Sequence, residues 1–364
     1  MRILVVNAGS TSLKLRVLDD EDRVTAAADL PAPQGQADEA GTAQSVEGFG
    51  AIDAVGHRIV HGGTEFVGPV LIGADVVARL RALTDLAPLH QPKSLAALDS
   101  VNHILPGVPA VACFDTAFHS GMPAAASTYA LPLEWRKRWN LRRYGFHGLS
   151  HAYASRRAAE LLGRRAEDLR VVTCHLGAGA SLAAVEGGIS VDTTMGFTPL
   201  DGLVMATRSG SVDPGLVLWL ATHAGTPPLE LAATLEHRSG LLGLAGTAAM
   251  QTVVEHAQAG EADALLALDV YIHRLRAGIA AMAASMGGLD VLVFTGGVGE
   301  NATIVRERAA AGLAFLGVQL DEGRNDQGAG DREIGSQQSP VKTLVVLARE
   351  DLEIAREVRM VLAD

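Results

Sequence analysis

Two charged side chains stand at the ends of apolar segments, where chemistry is commonly placed. Arg58 lies in a short strand-like segment that runs into Gly62-Gly63, and Asp115 directly follows an apolar run that ends at Phe114. An arginine on such a strand suits a carboxylate or a phosphate, although many arginines serve only solubility. Proteins of the α/β class bind ligands at the carboxyl ends of parallel strands, so a carboxylate there suits a role in ligand binding. Capping a helix is the alternative role for Asp115.

Two histidines lie close together just before a predicted helix. His147 and His151 are separated by three residues, and the helix is predicted to extend to about Leu162. The segment has no HExxH pattern and no thiolate, which argues against a transition-metal site. An imidazole aimed at a substrate oxygen is therefore the favoured interpretation.

Two hairpin-like segments with small-residue turns open the two halves of the chain. The apolar run Ile3 to Val6 predicts a buried strand, and a second strand with alternating polarity begins near Leu13, with Lys14 adding a positive charge. Residues 171–185 repeat this pattern and predict an internal duplication. Backbone N–H groups in such turns suit an anionic oxygen, and an ordinary polar turn is the alternative.

Three further segments carry candidate functional groups. A glycine-rich turn after the apolar run at residues 291–295 resembles a nucleotide-phosphate loop but lacks the lysine of a Walker motif. Arg208 lies in a long loop predicted over residues 190–211, before a helix predicted to begin at Asp213-Pro214. The terminal helix predicted from Glu350 has an acidic first turn, for which capping of the helix dipole is the alternative explanation.

Composition limits the classes of protein that fit. The 364 residues predict two domains at about 100–200 residues each, and strand-like runs alternating with Ala/Leu-rich segments predict an α/β class. The net charge of −11 argues against binding to nucleic acid or an anionic membrane. Cys113 and Cys174 suit buried thiols, and without a signal-peptide pattern we expect a cytoplasmic protein.

Residues 19–50 are predicted to be irregular, and residues 239–246 to form a turn.

Together these segments resemble the acetate kinase family, within the superfamily of sugar kinases, Hsp70 and actin. Eight ordered segments carry the resemblance, from the first hairpin turn to the glycine-rich turn near residue 300. They are residues 7–14, 57–63, 89–90, 114–119, 144–148, 195–200, 207–210 and 299–301.

The resemblance implies a fold and a reaction. The fold would be two duplicated RNase H-like α/β domains facing a cleft, with residues 1–116 and 350–364 in the first, residues 119–348 in the second, and a homodimer as the assembly. The reaction would be reversible, direct in-line transfer of the γ-phosphoryl group of ATP to acetate, giving acetyl phosphate and ADP, with Mg²⁺ or alternatively Mn²⁺. Because a carboxyl group with a pKa near about 4 is ionised at neutral pH, acetate needs no general base.

The resemblance also implies roles for individual residues. Arg58 would hold the acetate carboxylate, Arg208 and His147 would stabilise the transferring phosphoryl group, and Asp115 would complete the catalytic set. The metal would be held by Asn7 and Glu350, with Asp115 beside them. The substrate would be bound by Arg58 together with Val60, Leu89, Phe146 and Pro199, and these last four would form the apolar pocket for the acyl methyl group. The nucleotide and its phosphates would contact Asn7, Ser10, Ser12, Lys14, His175, Gly177, Gly179, Gly296, Gly297, Val298, Gly299 and Asn301.

The sequence departs from the family pattern at two places, both on the nucleotide side. Ala178 stands where the family has asparagine, and residues 247–252 lack the acid and the arginine of the family's Asp-Phe-Arg segment. We therefore predict an active phosphotransferase with an altered donor preference. The alternatives are a propionate or other short-chain acyl kinase and a non-catalytic sensor of acyl phosphate or nucleotide; an oxidoreductase is disfavoured because no GxGxxG follows the first strand.

Overall fold

The computed structural model describes residues 1–9, 12–32, 38–87 and 91–363, and it divides into two compact units. The first unit comprises residues 1–120, 146–153 and 349–364, and the second comprises residues 121–145 and 154–348. Each unit is built on one six-stranded sheet. The short segment 146–153 belongs to the first unit, although the sequence placed it inside the second domain.

The sheet of the first unit begins with a meander and continues with parallel strands. Its strands are β1 (Ile3–Ala8), β2 (Ser12–Leu18), β3 (Val24–Pro31), β4 (Ala54–Ile59), β5 (Val70–Leu71) and β6 (Ala110–Phe114). They are ordered β3-β2-β1-β4-β6-β5, and β1, β4 and β6 run parallel to one another. The predicted strand pair β1–β2 is confirmed, with Asn7 opposite Lys14.

The sheet of the second unit repeats this plan. Its strands are β7 (Arg170–Leu176), β8 (Ala180–Glu186), β9 (Ile189–Thr193), β10 (Val291–Thr295), β11 (Arg332–Glu333) and β12 (Lys342–Val345). Their order is β11-β12-β10-β7-β8-β9. Read from β9 to β11, it matches the first sheet strand for strand, with an antiparallel meander followed by parallel β7, β10 and β12. The predicted duplication and the α/β class are therefore confirmed.

Helices cover the sheets. In the described residues they are α1 (Glu39–Gly48), α2 (Ala74–Ala82), α3 (Gln91–Ile104), α4 (Ala124–Ser127), α5 (Leu133–Trp139), α6 (Gly148–Leu162), α7 (Pro214–Thr222), α8 (Pro228–His237), α9 (Gly240–Ala245), α10 (Met250–Gln258), α11 (Ala262–Ser285), α12 (Gly296–Asn301), α13 (Thr303–Ala311), α14 (Glu322–Asp326) and α15 (Glu350–Ala363). In the first unit, α15 packs on one face of the sheet, while Val46 of α1 and Val101 of α3 pack on the other. Across this described portion, no helix combines the length and hydropathy that spanning a membrane requires.

Three predictions of local structure were wrong. Residues 19–50 contain β3 and α1, residues 239–246 contain α9, and β9 occupies the start of the loop predicted over residues 190–211. The helix predicted from Asp213 is confirmed as α7, and the Asp213 carboxylate accepts a hydrogen bond from the Gly215 N–H at its first turn. Cys113 and Cys174 are buried and free, as expected.

Candidate active site

The first unit brings Arg58 and Asp115 together at the ends of neighbouring parallel strands. Arg58 lies on β4 and Asp115 directly follows β6. Arg58 Nε donates to both carboxylate oxygens of Asp115 at 3.0 and 3.2 Å, and Nη2 donates to Oδ2 at 2.6 Å. The carboxylate therefore orients the guanidinium instead of capping a helix.

Asn7 and Glu350 extend this arrangement. Arg58 Nη1 donates to Asn7 Oδ1 at 3.1 Å, and Asn7 Nδ2 donates to Glu350 Oε2 at 2.7 Å. Asn7 lies on β1 and Glu350 begins α15, so residues 343 positions apart share one network. Four of the predicted site residues are thus in one connected group.

Electrostatics holds the arginine charged at this buried position. Burial alone would lower the pKa of Arg58, but the negative charges of Asp115 and Glu350, together with the hydrogen bonds to Asp115, outweigh burial and raise its pKa. A guanidinium has five N–H donors, and the contacts with the described residues use three of them. Two donors remain with which Arg58 can bind an anionic ligand.

The oxygen atoms near Arg58 suit a hard divalent cation. Mg²⁺ is commonly held by one or two carboxylates together with water and substrate phosphates, so it does not need an all-protein cage. Asn7 and Glu350 provide an amide and a carboxylate on adjoining elements. Within residues 1–9, 12–32, 38–87 and 91–363, no cluster of three or more His, Cys, Asp or Glu side chains is arranged for a metal.

The first hairpin turn is described only in part. Gly9 N–H donates to Ser12 O at 2.8 Å, which closes the turn between β1 and β2, and the Lys14 side chain is exposed. Ser12 and Lys14 therefore lie on the strand that follows the turn. The predicted contacts of Ser10 and Leu89 lie outside the described residues.

His147, which directly precedes α6, has an unusual backbone conformation. Its φ of 57° lies in the left-handed region, which residues with a Cβ adopt uncommonly. Gly148, the next residue, donates its N–H to Asp115 O at 2.8 Å, and a Cβ at Gly148 would overlap that same oxygen. The lack of a side chain at residue 148 thus lets the start of α6 lie directly against the end of β6, next to Asp115.

Three of the predicted acyl-pocket residues, Val60, Phe146 and Pro199, are described, and all three are buried. Val60 and Phe146 belong to the first unit, where the Phe146 ring contacts the His61 imidazole edge-to-face at 5.5 Å. Pro199 is buried in the second unit. The assignment of these residues to an acyl pocket stays a prediction.

Arg208 is held by a residue that the sequence did not reveal. Its Nε donates to Glu236 Oε1 at 2.6 Å, and both side chains are largely buried. Arg208 Nη1 also lies 3.4 Å from Pro199 O, which connects it to the loop that carries the predicted pocket residue. Glu236 is on α8, 28 positions away, so no local pattern could have indicated this pair.

Glycine-rich turns in the second unit provide backbone donors and a tight helix start. The turn after β7 is closed by Gly177 N–H donating to Gly179 O at 2.9 Å, and His175 pairs with Ser181 across β7 and β8. Gly296 begins α12 with a φ of 78°, and a Cβ there would lie 2.8 Å from Leu176 O. The glycine turn predicted after β10 is thus itself the first turn of α12, which also contains Gly297, Val298, Gly299 and Asn301.

Glu300, also missed from the sequence, fixes α12 in place. Its Oε1 accepts hydrogen bonds from Gly296 N–H at 3.0 Å and from Ala348 N–H at 2.8 Å. The carboxylate therefore ties the start of α12 to the segment after β12. A glutamate in a glycine-rich turn offered no sequence signal for this role.

Taken together, the two units are copies of one sheet plan, and each begins with an antiparallel hairpin that has a glycine in its turn. The profile of the Acetokinase family matches residues 36–356. An acetate kinase from Bacillus mycoides is 46% identical over 314 residues, which is 86% of this chain and 79% of that protein. An acetate kinase from Gloeobacter violaceus is 51% identical over 308 residues, 84% of this chain and 76% of that protein.

Solved structures agree with the sequence matches. The acetate kinase of Porphyromonas gingivalis has a TM-score of 0.91 at 34% identity, and a propionate kinase from Francisella tularensis has a TM-score of 0.90 at 35% identity, each over 99% of both chains. The chain belongs to the acetokinase family. Its members are phosphotransferases with a carboxyl group as acceptor, and they use ATP or ADP with a divalent metal.

Proposed function

We propose that the protein transfers the γ-phosphoryl group of ATP reversibly to the carboxylate of acetate, forming acetyl phosphate and ADP by direct in-line transfer. The observation that carries this proposal is the network of Arg58, Asp115, Asn7 and Glu350. It provides a charged, oriented donor for a carboxylate beside oxygen atoms for a divalent cation. No general base is needed, because acetate is ionised at neutral pH.

Each residue then has a defined task. Asp115 orients Arg58, and the remaining N–H donors of Arg58 bind the acetate carboxylate. Asn7 and Glu350 would hold Mg²⁺, or Mn²⁺ in its place, which neutralises phosphate charge when bound. His147 and Arg208 donate to the phosphoryl oxygens as charge develops during transfer. Removing one donor of this kind from an enzyme typically lowers kcat about 100-fold or more.

The remaining predicted residues serve the nucleotide and the acyl group. Ser10, Ser12 and Lys14 line the phosphate path, and the backbone of the turns at 175–179 and 296–301 contacts the nucleotide. We assign Val60, Leu89, Phe146 and Pro199 to recognition of the methyl group, as the family resemblance implies. Since one methylene is worth only about 1–3 kcal/mol in an apolar pocket, propionate is an expected weaker substrate.

The preferred phosphoryl donor is identified by trapping the acyl phosphate product with hydroxylamine. Purified protein with Mg²⁺ is given acetate or propionate, and ATP, GTP, CTP or pyrophosphate as donor. We expect hydroxamate with acetate, and a weak preference for ATP because Ala178 and residues 247–252 lack the family's nucleotide-side groups. A micromolar KM for ATP with strong discrimination would contradict the altered donor, and no product with any donor would favour a non-catalytic sensor.

The role of Arg58 in binding acetate, the phosphoryl acceptor, is tested by substitution with a matched control. Arg58→Ala should raise the KM for acetate about 10- to 100-fold, since a hydrogen bond to a charged group is worth about 1.5–3 kcal/mol. Arg81→Ala removes an exposed arginine that pairs with Asp99 at 2.7 Å, and it should leave the KM unchanged. Equal effects of the two substitutions would refute the role.

We further propose a cytoplasmic homodimer in which α7 contacts a second copy. Leu216, Leu218 and Trp219 on this helix are exposed, and no residue of α7 is buried. Contiguous exposed apolar surface of this kind marks interaction sites. Leu218→Asp should shift the mass measured by light scattering from two chains to one, whereas an unchanged dimer would place the contact elsewhere.

A further inference from the structure

The two peptide groups on either side of His147 are fixed by three hydrogen bonds. The Phe146 carbonyl lies 3.1 Å from His119 Nε2, the His147 carbonyl accepts from His151 N–H at 2.9 Å, and Gly148 N–H donates to Asp115 O at 2.8 Å. The last two bonds involve only backbone atoms. The bond from His119 is the one in this set that a side chain makes.

The chemistry of the bond assigns the proton on His119. A carbonyl oxygen can only accept, so Nε2 of His119 carries the hydrogen and donates it to Phe146 O. His119 is fully buried, and burial lowers its pKa to about 4 even though the bond to Phe146 acts in the opposite direction. The ring is therefore neutral, and its donor is present across the physiological range.

This bond acts directly on the conformation of His147. The Phe146 carbonyl belongs to the peptide that precedes His147, so fixing it restrains the φ angle of His147, which is 57°. The ring of His119 also packs edge-to-face on His151 at 5.7 Å, and His151 packs against His147 at 6.5 Å. His119 thus contacts the peptide that precedes His147 directly, and it contacts the His147 ring through His151.

We propose that His119 is a positioning residue that holds the Phe146–His147 peptide, and with it the His147 imidazole, in the orientation needed for phosphoryl transfer. The inference rests on the proposed function, in which His147 stabilises the transferring group. His119 itself touches neither substrate nor the reacting atoms in this role.

Two polar substitutions of different reach test the bond. Gln places its amide nitrogen at about the position of imidazole Nε2, whereas Asn is too short to reach Phe146 O. A displacement of about 1 Å can cost about 100-fold in rate. We expect His119→Asn to lower kcat about 30- to 100-fold with the KM for acetate changed less than about threefold, and His119→Gln to stay within about fivefold of the unmodified protein.

A double substitution separates positioning from general loss of structure. If His119 acts through His147, His119→Asn should lower kcat less than about twofold further in a His147→Ala background. His57→Leu is the matched control, because His57 is also buried in the first unit and its Nε2 has no hydrogen-bond partner among the described residues. Its kcat should remain within about twofold.

Nuclear magnetic resonance of ¹⁵N-labelled histidine gives a readout that does not need activity. In the protein with His119 present, its ring should show a slowly exchanging Nε2–H and should not titrate between pH 5.5 and 8. His119→Asn should shift the ring signals of His147, and His57→Leu should not. If the unmodified protein forms no acetyl phosphate, the proposed function fails while this measurement still decides the inference.

The inference is overturned by any of three results. They are a His119→Asn protein as active as the His119→Gln protein, an equal loss of kcat with and without the His147 imidazole, and His147 ring signals that are unchanged by His119→Asn.

Discussion

A buried carboxyl group on α15 should make the first unit less stable as the pH rises. Glu357 faces Cys113 of β6, follows the buried Glu353 by one helical turn, and lies near Arg356 and Asp115. Burial raises its pKa from 4.5 to about 7, and the charges of Glu353 and Asp115 act in the same direction, against the hydrogen bond from Cys113 and the charge of Arg356. The folded state therefore binds this proton more tightly than the unfolded state does.

The sign and size of the effect follow from the two pKa values. Stability from this group is fully present below pH 4.5, falls as the pH rises, and is lost above a pH of about 7. A shift from 4.5 to about 7 corresponds to about 3 kcal/mol, most of which is lost between pH 5 and pH 8. The equilibrium constant for unfolding would change on the order of 100-fold over that interval.

Amide hydrogen exchange is the suitable assay. The three tryptophans, Trp135, Trp139 and Trp219, are all in the second unit, so their fluorescence does not report on α15. Protection of the amides of β6 and α15, corrected for the intrinsic pH dependence of exchange, gives the free energy of opening. Glu357→Gln removes the titrating group and should flatten the pH profile.

A control and a refuting result complete the design. Glu47→Gln changes an exposed glutamate of α1 in the same unit and should retain the slope of the unmodified protein. Parallel profiles for Glu357→Gln and the unmodified protein, within about 0.5 kcal/mol from pH 5 to pH 8, would show that Glu357 does not carry the linkage.

Three substitutions test other parts of the site. Glu236→Gln keeps an acceptor for Arg208 but removes its charge, so kcat should fall about tenfold with KM values retained, as steady-state kinetics would show. Gly148→Ala forces a methyl group against the Asp115 carbonyl and should cost about 1–3 kcal/mol in unfolding experiments as well as activity. Ala178→Asn restores the family residue and should lower the KM for ATP about fivefold, the worth of one hydrogen bond of about 1 kcal/mol, without changing the KM for acetate.

Elements with strong local signals could be predicted from the sequence. The apolar runs of β1, β6 and β10 are fully or largely buried strands, and Asp213-Pro214 begins α7 as its capping chemistry requires. The repeated hairpin at residues 171–185 indicated the duplication that the two sheets show, although it did not predict their strand order. In each case the information lies within about ten neighbouring residues.

Elements with weak local signals were missed. The strand β3 has the sequence VTAAADLP and no buried residue. Its hydrogen-bonded pairing with β2, rather than burial of its own side chains, therefore stabilises it as a strand. On α1 only Thr42 and Val46 are buried, which gives little periodicity. The helix α9 has the sequence GLLGLA, whose glycines indicated a turn.

The candidate site shows the same limit. Arg58 and Asp115 could be selected because each stands at the end of an apolar strand, and they do meet. The partners Glu236 and His119 could not, because their contacts join positions 28 and 27 residues apart and depend on tertiary structure alone. The resemblance to a family indicated the groups that are predicted to act on substrate, and the structure added Glu236 and His119, which contact their side chains or backbone.

The two sheets place different chemistry at equivalent strand ends. In the first unit, the segments at the ends of β4 and β6 carry Arg58 and Asp115, which form a charged pair. In the second unit, β10 leads into the glycine-rich start of α12, and Glu300 binds the backbone N–H groups of Gly296 and Ala348. Side-chain charge suits recognition of a carboxylate and a cation, whereas backbone donors at a helix start suit phosphate oxygens. Substitution of Arg58 should therefore affect the binding of acetate most, and substitutions in the turn at residues 296–301 should affect the binding of the nucleotide most.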